Sequence, residues 1–421
     1  MKKPFLFSFL PLLSGLLISL ISINYSNFHV KAQTMKTTIS AISSLFTTTQ
    51  SSNFAFYGSY PVGNTPRHMA LANFNHDGKL DLIVTNNGST GIKNNVSILL
   101  GTGTGSFVNA PNSPIRVGLN SSLYVNPVFV VVSDVDGDND DDWITANFSD
   151  NTITVGLNDG SANFTTNTIL ISGRSPVSLA VSDINKDQKP DILIACNGYP
   201  EKIISMLGTG TGTFSNANII NRTDLTPRSV VMALFDSDNF LDFAVADYVV
   251  GTVSIFKGDG QGSFIPLSVI NVTQNNFPGT ESLTLANVNN DGYFDLVVSI
   301  ANGSYDGVTI LLGTGNGNFS PQTPITFGAN KNVGLTSVND INTDGLLDII
   351  APIYEYSDSS VNVLFGTGTS FVFSSDSPLR MDNPIPRSPK TALLGDFNQD
   401  GKLDLVTCNQ NTNDVSVYLQ Q

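Results

Sequence analysis

Nine residues decide the fold: Asn73-Phe-Asn-His-Asp-Gly-Lys-Leu-Asp81. Acid or amide side chains stand at positions one, three, five and nine, and the same register returns at residues 134–142, 183–191, 234–242, 287–295, 340–348 and 396–404. The seven starts lie 61, 49, 51, 53, 53 and 56 residues apart, and in five copies a proline stands seven positions ahead: Pro66, Pro127, Pro176, Pro227 and Pro389. A repeat with a period near 50 residues marks an architecture of stacked or radially arranged units.

Working outward from the first copy, short apolar runs lie before it (69–72), after it (82–84) and further on (96–100), each short, rich in β-branched or aliphatic residues and bounded by turn formers. Such runs are strands. The third ends in Gly101-Thr-Gly-Thr-Gly-Ser-Phe107, echoed at 208–214, 258–264, 313–319 and 366–371. Alternating glycines supply the positive φ angles of a tight hairpin, and the following Phe re-enters an apolar layer. Each unit is therefore a four-stranded antiparallel meander, and seven of them predict an all-β, seven-bladed β-propeller over residues 53–421. The last copy stops after its third strand, at Val415-Ser-Val-Tyr-Leu419, while residues 54–62 resemble a fourth strand. The N-terminal segment is expected to fill that place and close the ring, leaving no bare sheet edge.

Composition agrees. Of 421 residues, 40% are hydrophobic and 13% charged, with 36 Gly and 20 Pro, a turn-rich globular chain and not a helical bundle. A net charge of −15 repels phosphates and points away from nucleic acid and anionic membranes, toward cations. Two cysteines, Cys196 and Cys408, make no disulfide framework and are expected to stay unpaired.

The repeated loop reads as a cation site. Alternate side chains in a tight loop converge on one point, hard oxygen ligands suit Ca²⁺, and a glycine at position six permits the turn. The candidate ligands are Asn73, Asn75, Asp77 and Asp81; Asp134, Asp136, Asp138 and Asp142; Asp183, Asn185, Asp187 and Asp191; Asp236, Asp238 and Asp242; Asn287, Asn289, Asp291 and Asp295; Asp340, Asn342, Asp344 and Asp348; and Asp396, Asn398, Asp400 and Asp404. The fourth loop opens with Leu234 and is expected to bind weakly or not at all. Together the seven windows hold 22 of the 35 acidic residues and 4 of the 20 basic ones, so bound divalent ions would relieve most of the chain's self-repulsion. The competing reading is a set of Asx-rich turns without an ion.

Gly395-Asp-Phe-Asn-Gln-Asp-Gly-Lys-Leu-Asp-Leu405 resembles the motif of the FG-GAP/VCBS repeat family, the propeller units also found in integrin α-chain heads. The resemblance covers residues 53–421. It implies calcium in the hairpin loops and a role in extracellular recognition or adhesion. An integrin's leg domains and C-terminal membrane span have no counterpart in the sequence, which suggests a free-standing propeller, expected as a monomer.

Lys2 and Lys3 precede an apolar run over residues 4–23, and Val30-Lys31-Ala32 fits a signal-peptidase site, so residues 1–32 read as a secretory signal. An uncleaved anchor is the alternative. Residues 33–52 read as a Ser/Thr-rich leader, and later residues contain no apolar run long enough to span. Glycosylation sequons occur at Asn87, Asn95, Asn120, Asn147, Asn163, Asn221, Asn271, Asn302 and Asn318.

Strand parity places the loops after each second strand on the face opposite the acidic loops. There Asn147, Tyr199, Tyr248, Tyr305, Tyr354 and Tyr356 are candidates for contact with a protein or carbohydrate ligand. A non-enzymatic recognition module is the first expectation. A propeller-based polysaccharide lyase or hydrolase is the alternative, for which the acid–base residues outside the loops are few: His68, Glu201, Glu281 and Glu355, with His76 inside one.

Overall fold

The computed structural model describes residues 50–421 apart from 89–93, 120–123, 173, 222–225, 273–278, 302 and 382–384. The signal, most of the leader, and the sequons at Asn120 and Asn302 lie outside the described residues. Among the described residues there are only strands, turns and loops, and no helix long and apolar enough to cross a membrane.

Seven antiparallel sheets form seven blades of a β-propeller, as the repeat predicts. In blade 1 the strands run from the inside outward as Pro66–Ala72, Asp81–Asn86, Asn95–Gly101 and Phe107–Asn109, with Ile115–Arg116 completing the outer edge. Blades 2 to 6 begin their inner strands at Pro127, Pro176, Pro227, Thr280 and Ser337. Blade 7 takes three strands from the C-terminus, Pro389–Gly395, Asp404–Asn409 and Asp414–Gln420, and its outer strand, Phe54–Pro61, from the N-terminus. The ring is closed by that strand, in the register Phe54 to Gln420 through Pro61 to Asp414.

The closing strand is anchored earlier than the sequence boundary at 53 implies. Asp376 accepts hydrogen bonds from the Ser51 hydroxyl (2.8 Å), from the amide and hydroxyl of Ser52 (3.0 and 2.8 Å) and from the Asn53 amide (3.2 Å). Ser52 is buried, so the folded unit starts at Ser51.

Alternating side chains of each sheet face its two neighbours, and the core divides accordingly into seven clusters between adjacent blades. Trp143 and Phe74 join blades 1 and 2; Phe397 and Phe107 join blades 7 and 1. The second residue of the acidic loop supplies a buried plug in six blades: Phe74, Val135, Ile184, Phe235, Ile341 and Phe397. Around the axis the inner strands are linked by side-chain hydrogen bonds. Ser178 accepts from the Val230 amide (3.2 Å), Ser229 accepts from the Leu283 amide (3.1 Å), and the Thr391 hydroxyl donates to the Arg67 carbonyl (3.1 Å) across the seam. Cys196 and Cys408 are buried in different blades and unpaired.

Candidate functional site

Each acidic loop joins the inner strand to the second strand, and its ninth residue opens the second strand in six blades and immediately precedes it, at Asp142, in blade 2. That residue is fully buried in all seven copies, at Asp81, Asp142, Asp191, Asp242, Asp295, Asp348 and Asp404. One carboxylate oxygen accepts the amide of loop position two, at Phe74, Val135, Ile184, Phe235, Val288, Ile341 and Phe397, over 2.8–3.2 Å. The other accepts an amide at the end of the third strand, from Gly101, Asn158, Gly208, Gly258, Gly313, Gly366 and Gln420, over 2.7–3.0 Å. The ninth aspartate is thus a staple between loop and hairpin before any ligand is considered. Burial pushes Asp81, Asp142 and Asp348 up to about 6 and moves Asp191, Asp242, Asp295 and Asp404 the same way, against the pull of those amides. The glycine at the strand end in blade 1 answers a separate close approach: a Cβ on Gly101 would stand 2.2 Å from the Leu80 carbonyl oxygen.

Polar side chains at positions one, three and five hydrogen-bond within the loop. Asp183, Asp340 and Asp396 each accept two amides further along their loops, and Asn287 accepts one. At position three, the side-chain oxygens of Asn75, Asn185, Asp236, Asn289, Asn342 and Asn398 accept the amide two residues on. At position five, Asp77, Asp138, Asp187, Asp238, Asp291, Asp344 and Asp400 repeat the pattern. These Asx turns curl the chain tightly around its own side-chain oxygens. In blade 2, ligand atoms of Asp134, Asp136 and Asp138 lie within 4.8 Å of one another, a spacing one cation can span. Asn139, where glycine is usual, adopts φ 71°, a conformation asparagine tolerates.

Two loops depart from the pattern in informative ways. The additional acids of blade 2 serve blade 1: Asp140 pairs with His76 at 2.5 Å and Asp141 accepts the Asn73 amide at 2.8 Å. Their hydrogen bond raises the His76 pKa. In blade 4 the position-one residue, Leu234, is 43% exposed, and the Lys257 ammonium enters the loop instead, bonded to Asp236 and at 2.9 Å to Asp238. Both carboxylates raise the lysine's pKa. Other blades carry leucine at that place on the third strand, as at Leu100, Leu157, Leu207 and Leu312.

The opposite face sorts the remaining candidates. Tyr199, Tyr305 and Tyr356 are exposed, at 77, 54 and 66%. Asn147 is not on that surface. It ends the second strand of blade 2, fully buried, donating to Thr152 and Thr154 (3.0 and 2.9 Å) and accepting from Thr145, so neither a ligand nor a glycan reaches it in the folded chain. Tyr248 and Tyr354 turn toward the axis and cover cations: Arg228 stacks 4.7 Å from the Tyr248 centroid and the Lys390 ammonium 3.2 Å from that of Tyr354. The sequence reading missed these axial cations, which stand six residues ahead of their loops. Of the acid–base candidates, His68 is buried, stacks on Phe129 at 3.9 Å and is held neutral by burial, with its pKa lowered to about 3. Glu355 accepts from Asn332 at 2.6 Å, and Glu281 pairs with Lys390 at 3.2 Å.

A concavity of about 490 Å³ opens between blades 5 and 6. Its floor is apolar, with Ile310, Leu312, Ile325 and Phe371, and its rim carries Asn289, Gln322, Thr323, Thr369 and Ser370. The outer strand of blade 5 is interrupted there, between Phe319–Pro321 and Ile325–Gly328.

A family model for the FG-GAP-like repeat matches residues 134–194, 235–298, 287–351 and 340–407. No curated protein matches the sequence significantly. Among solved structures, BBS1N in complex with ARL6DN superposes with a TM-score of 0.58 at 12% identity, over 88% of this chain and 98% of that one. A protein from Lactobacillus plantarum gives 0.53 at 15% identity, over 75 and 85%. A lectin from Agrocybe aegerita, whose structure concerns recognition of non-reducing terminal N-acetylglucosamine, gives 0.50 at 19% identity, over 73 and 79%. At these identities the likeness speaks for the fold alone. Seven registered loops on seven blades, with a family match spanning more than half of the sequence, establish that the chain belongs to the FG-GAP-like repeat family.

Proposed function

We propose that this protein is a non-catalytic, extracellular recognition propeller that binds Ca²⁺ in its acidic loops and takes an uncharged carbohydrate in the cleft between blades 5 and 6. The observation that carries the reading is the lining of that cleft: an apolar floor with an aromatic ring, and a rim of neutral amides and hydroxyls with no ionisable side chain. Such a surface suits a ligand with apolar ring faces and hydroxyl edges, and it offers no general acid or base. Asn289 belongs both to the cleft and to position three of the blade 5 loop, so an ion in that loop would fix one wall of the cleft. The blade 4 loop supports the cation reading from another side, since the copy that lacks a ligand at position one is supplied with an ammonium instead. The lectin among the structural relatives is a precedent for the fold and not for this cleft.

A glycan array probed with calcium-loaded and calcium-stripped protein tests the reading, with Phe371→Ser as the cleft variant. Retention that needs calcium and is lost in the variant supports it. Release of reducing or unsaturated sugar ends from polysaccharides would favour the lyase or hydrolase reading.

A further inference from the structure

The chain has a net charge of −15, yet its axis is basic. Six residues ahead of each acidic loop, one residue per blade stands at the start of the inner strand, or in blade 6 just before it. Three of these are cations, Arg67, Arg228 and Lys390; one is Glu281; the others are Val128, Val177 and Gly334. The four charged residues line one small pocket of about 60 Å³ at the axis, walled by Val128, Val177 and Leu335. Lys390 and Glu281 meet across it at 3.2 Å, each side chain only 12% exposed. Glu281 also acts through space on both guanidinium groups, but one carboxylate cannot balance three cations. Among the described residues no carboxylate lies within ion-pair distance of Arg67 or Arg228, and the buried Arg228 Nε has no hydrogen-bond acceptor. Taking charge out of water without a partner is costly, so a chain that could place valine at all of these positions has a reason for cations at three.

We infer that this axial mouth is an anion-binding site, in which Arg67, Arg228 and Lys390 receive a carboxylate or an equally small oxyanion. The volume is roughly that of two water molecules at ~30 Å³ each, enough for a carboxylate head and too little for a sugar ring. The rest of a larger ligand would emerge on the face that carries Tyr248 and Tyr354, whose rings cover Arg228 and Lys390 and hold them in place. Guanidinium forks match carboxylate geometry in two parallel bonds, which suits the two arginines to the task. Glu281 lies in the same pocket, fixes Lys390, and sets the remaining charge at +2. Burial lowers the Lys390 pKa to about 8, so the ammonium is still mostly charged at neutral pH, and a bound anion would restore it further.

Calorimetric titration of the full chain with acetate, glucuronate and glucose at constant ionic strength tests the site. Acetate and glucuronate should bind, glucose should not compete with acetate and any heat it gives in the blade 5–6 cleft should be the same in the variant, and Arg67→Gln/Arg228→Gln should weaken the anions at least tenfold while leaving the calcium response unchanged. Tighter binding of glucuronate than of acetate would identify a sugar acid as the source of the carboxylate; equal binding would identify a free small anion. Should the double variant not fold, Glu281→Gln provides the second test, because removing the resident carboxylate should tighten acetate severalfold. No heat with either anion, equal affinity in the double variant, or an unchanged affinity in Glu281→Gln would overturn the inference.

Discussion

The Lys257 ammonium lies 2.9 Å from the Asp238 carboxylate, inside the only one of the seven loops that begins with leucine. It approaches from the third strand, where other blades present Leu100, Leu157, Leu207 or Leu312. Leucine and the charged residue have in effect changed places between loop and strand. The exchange should be reversible: Leu234→Asp/Lys257→Leu turns the fourth loop into a copy of the others and should raise calcium stoichiometry by one in calorimetric titration. Lys257→Met alone should lower the melting temperature without calcium, because Asp236 and Asp238 then repel each other uncompensated.

Positions one and nine of the same loop should answer differently to substitution. Asp404 uses both oxygens on buried amides of Phe397 and Gln420, so Asp404→Ala should cost about 3 kcal/mol even without calcium, and Asp242→Ala should do likewise. Asp396→Asn keeps an acceptor for the loop amides and should cost ~1 kcal/mol or less in calcium-free buffer, while removing one loop's share of the calcium-induced rise. Chemical denaturation with calcium and with EDTA checks both. Identical curves under the two conditions would remove calcium from the account.

The propeller was legible because its determinants are local. The nonapeptide and the Gly-x-Gly hairpin each specify a turn within a few residues, and the strands between them are short. The closing strand was legible as well, since a meander that stops after Leu419 leaves a place that Phe54–Pro61 fits. Contacts distant in sequence were not. Lys257 acts on a loop that begins 23 residues earlier, and Asp140 and Asp141 act on a loop of the previous blade. Asn147 was misplaced because it precedes a turn. Asn86 and Asn409 in the same position, each followed across the hairpin by a serine that accepts its amide, carried the signal for a buried strand end. The axial cations had a signal too, a fixed offset from the loop, but nothing in one strand says that seven such positions converge.

Asp376 should behave as the latch of the ring. Its carboxylate gathers Ser51, Ser52 and Asn53 ahead of the closing strand, together with the Ser374 hydroxyl of blade 6. Against the opposing effect of burial, these donors hold the carboxyl down at about 2 from an ordinary 3.8. Because the folded pKa is the lower one, the contribution is complete above the ordinary value and is lost as pH falls from about 4 toward 2. Asp376→Ala should cost about 2 kcal/mol at neutral pH and much less near pH 2, and should hasten proteolysis ahead of Phe54. A cost that does not shrink on acidification would show that the latch is not electrostatic.

Trp143 and Gly156 face each other across two strands of blade 2, where blade 1 pairs Leu82 with Leu99 and blade 5 pairs Leu296 with Leu311. The volume of the pair is shared unequally, with a fully buried indole filling the space of two leucines. A Cβ on Gly156 would stand 2.1 Å from the Trp143 ring, so Gly156→Ala must displace the indole, at a cost of about 1–3 kcal/mol. Trp143 is the chain's one tryptophan, so displacement toward water should appear directly as a red shift in emission. The blades also prescribe a repair. Trp143→Leu/Gly156→Leu installs the pair that blades 1 and 5 use and should be more stable than Gly156→Ala, whereas Trp143→Leu alone leaves a cavity and should not. Denaturation of the three variants decides the matter: if Gly156→Ala matches the wild type, the packing of this interface is looser than the geometry requires.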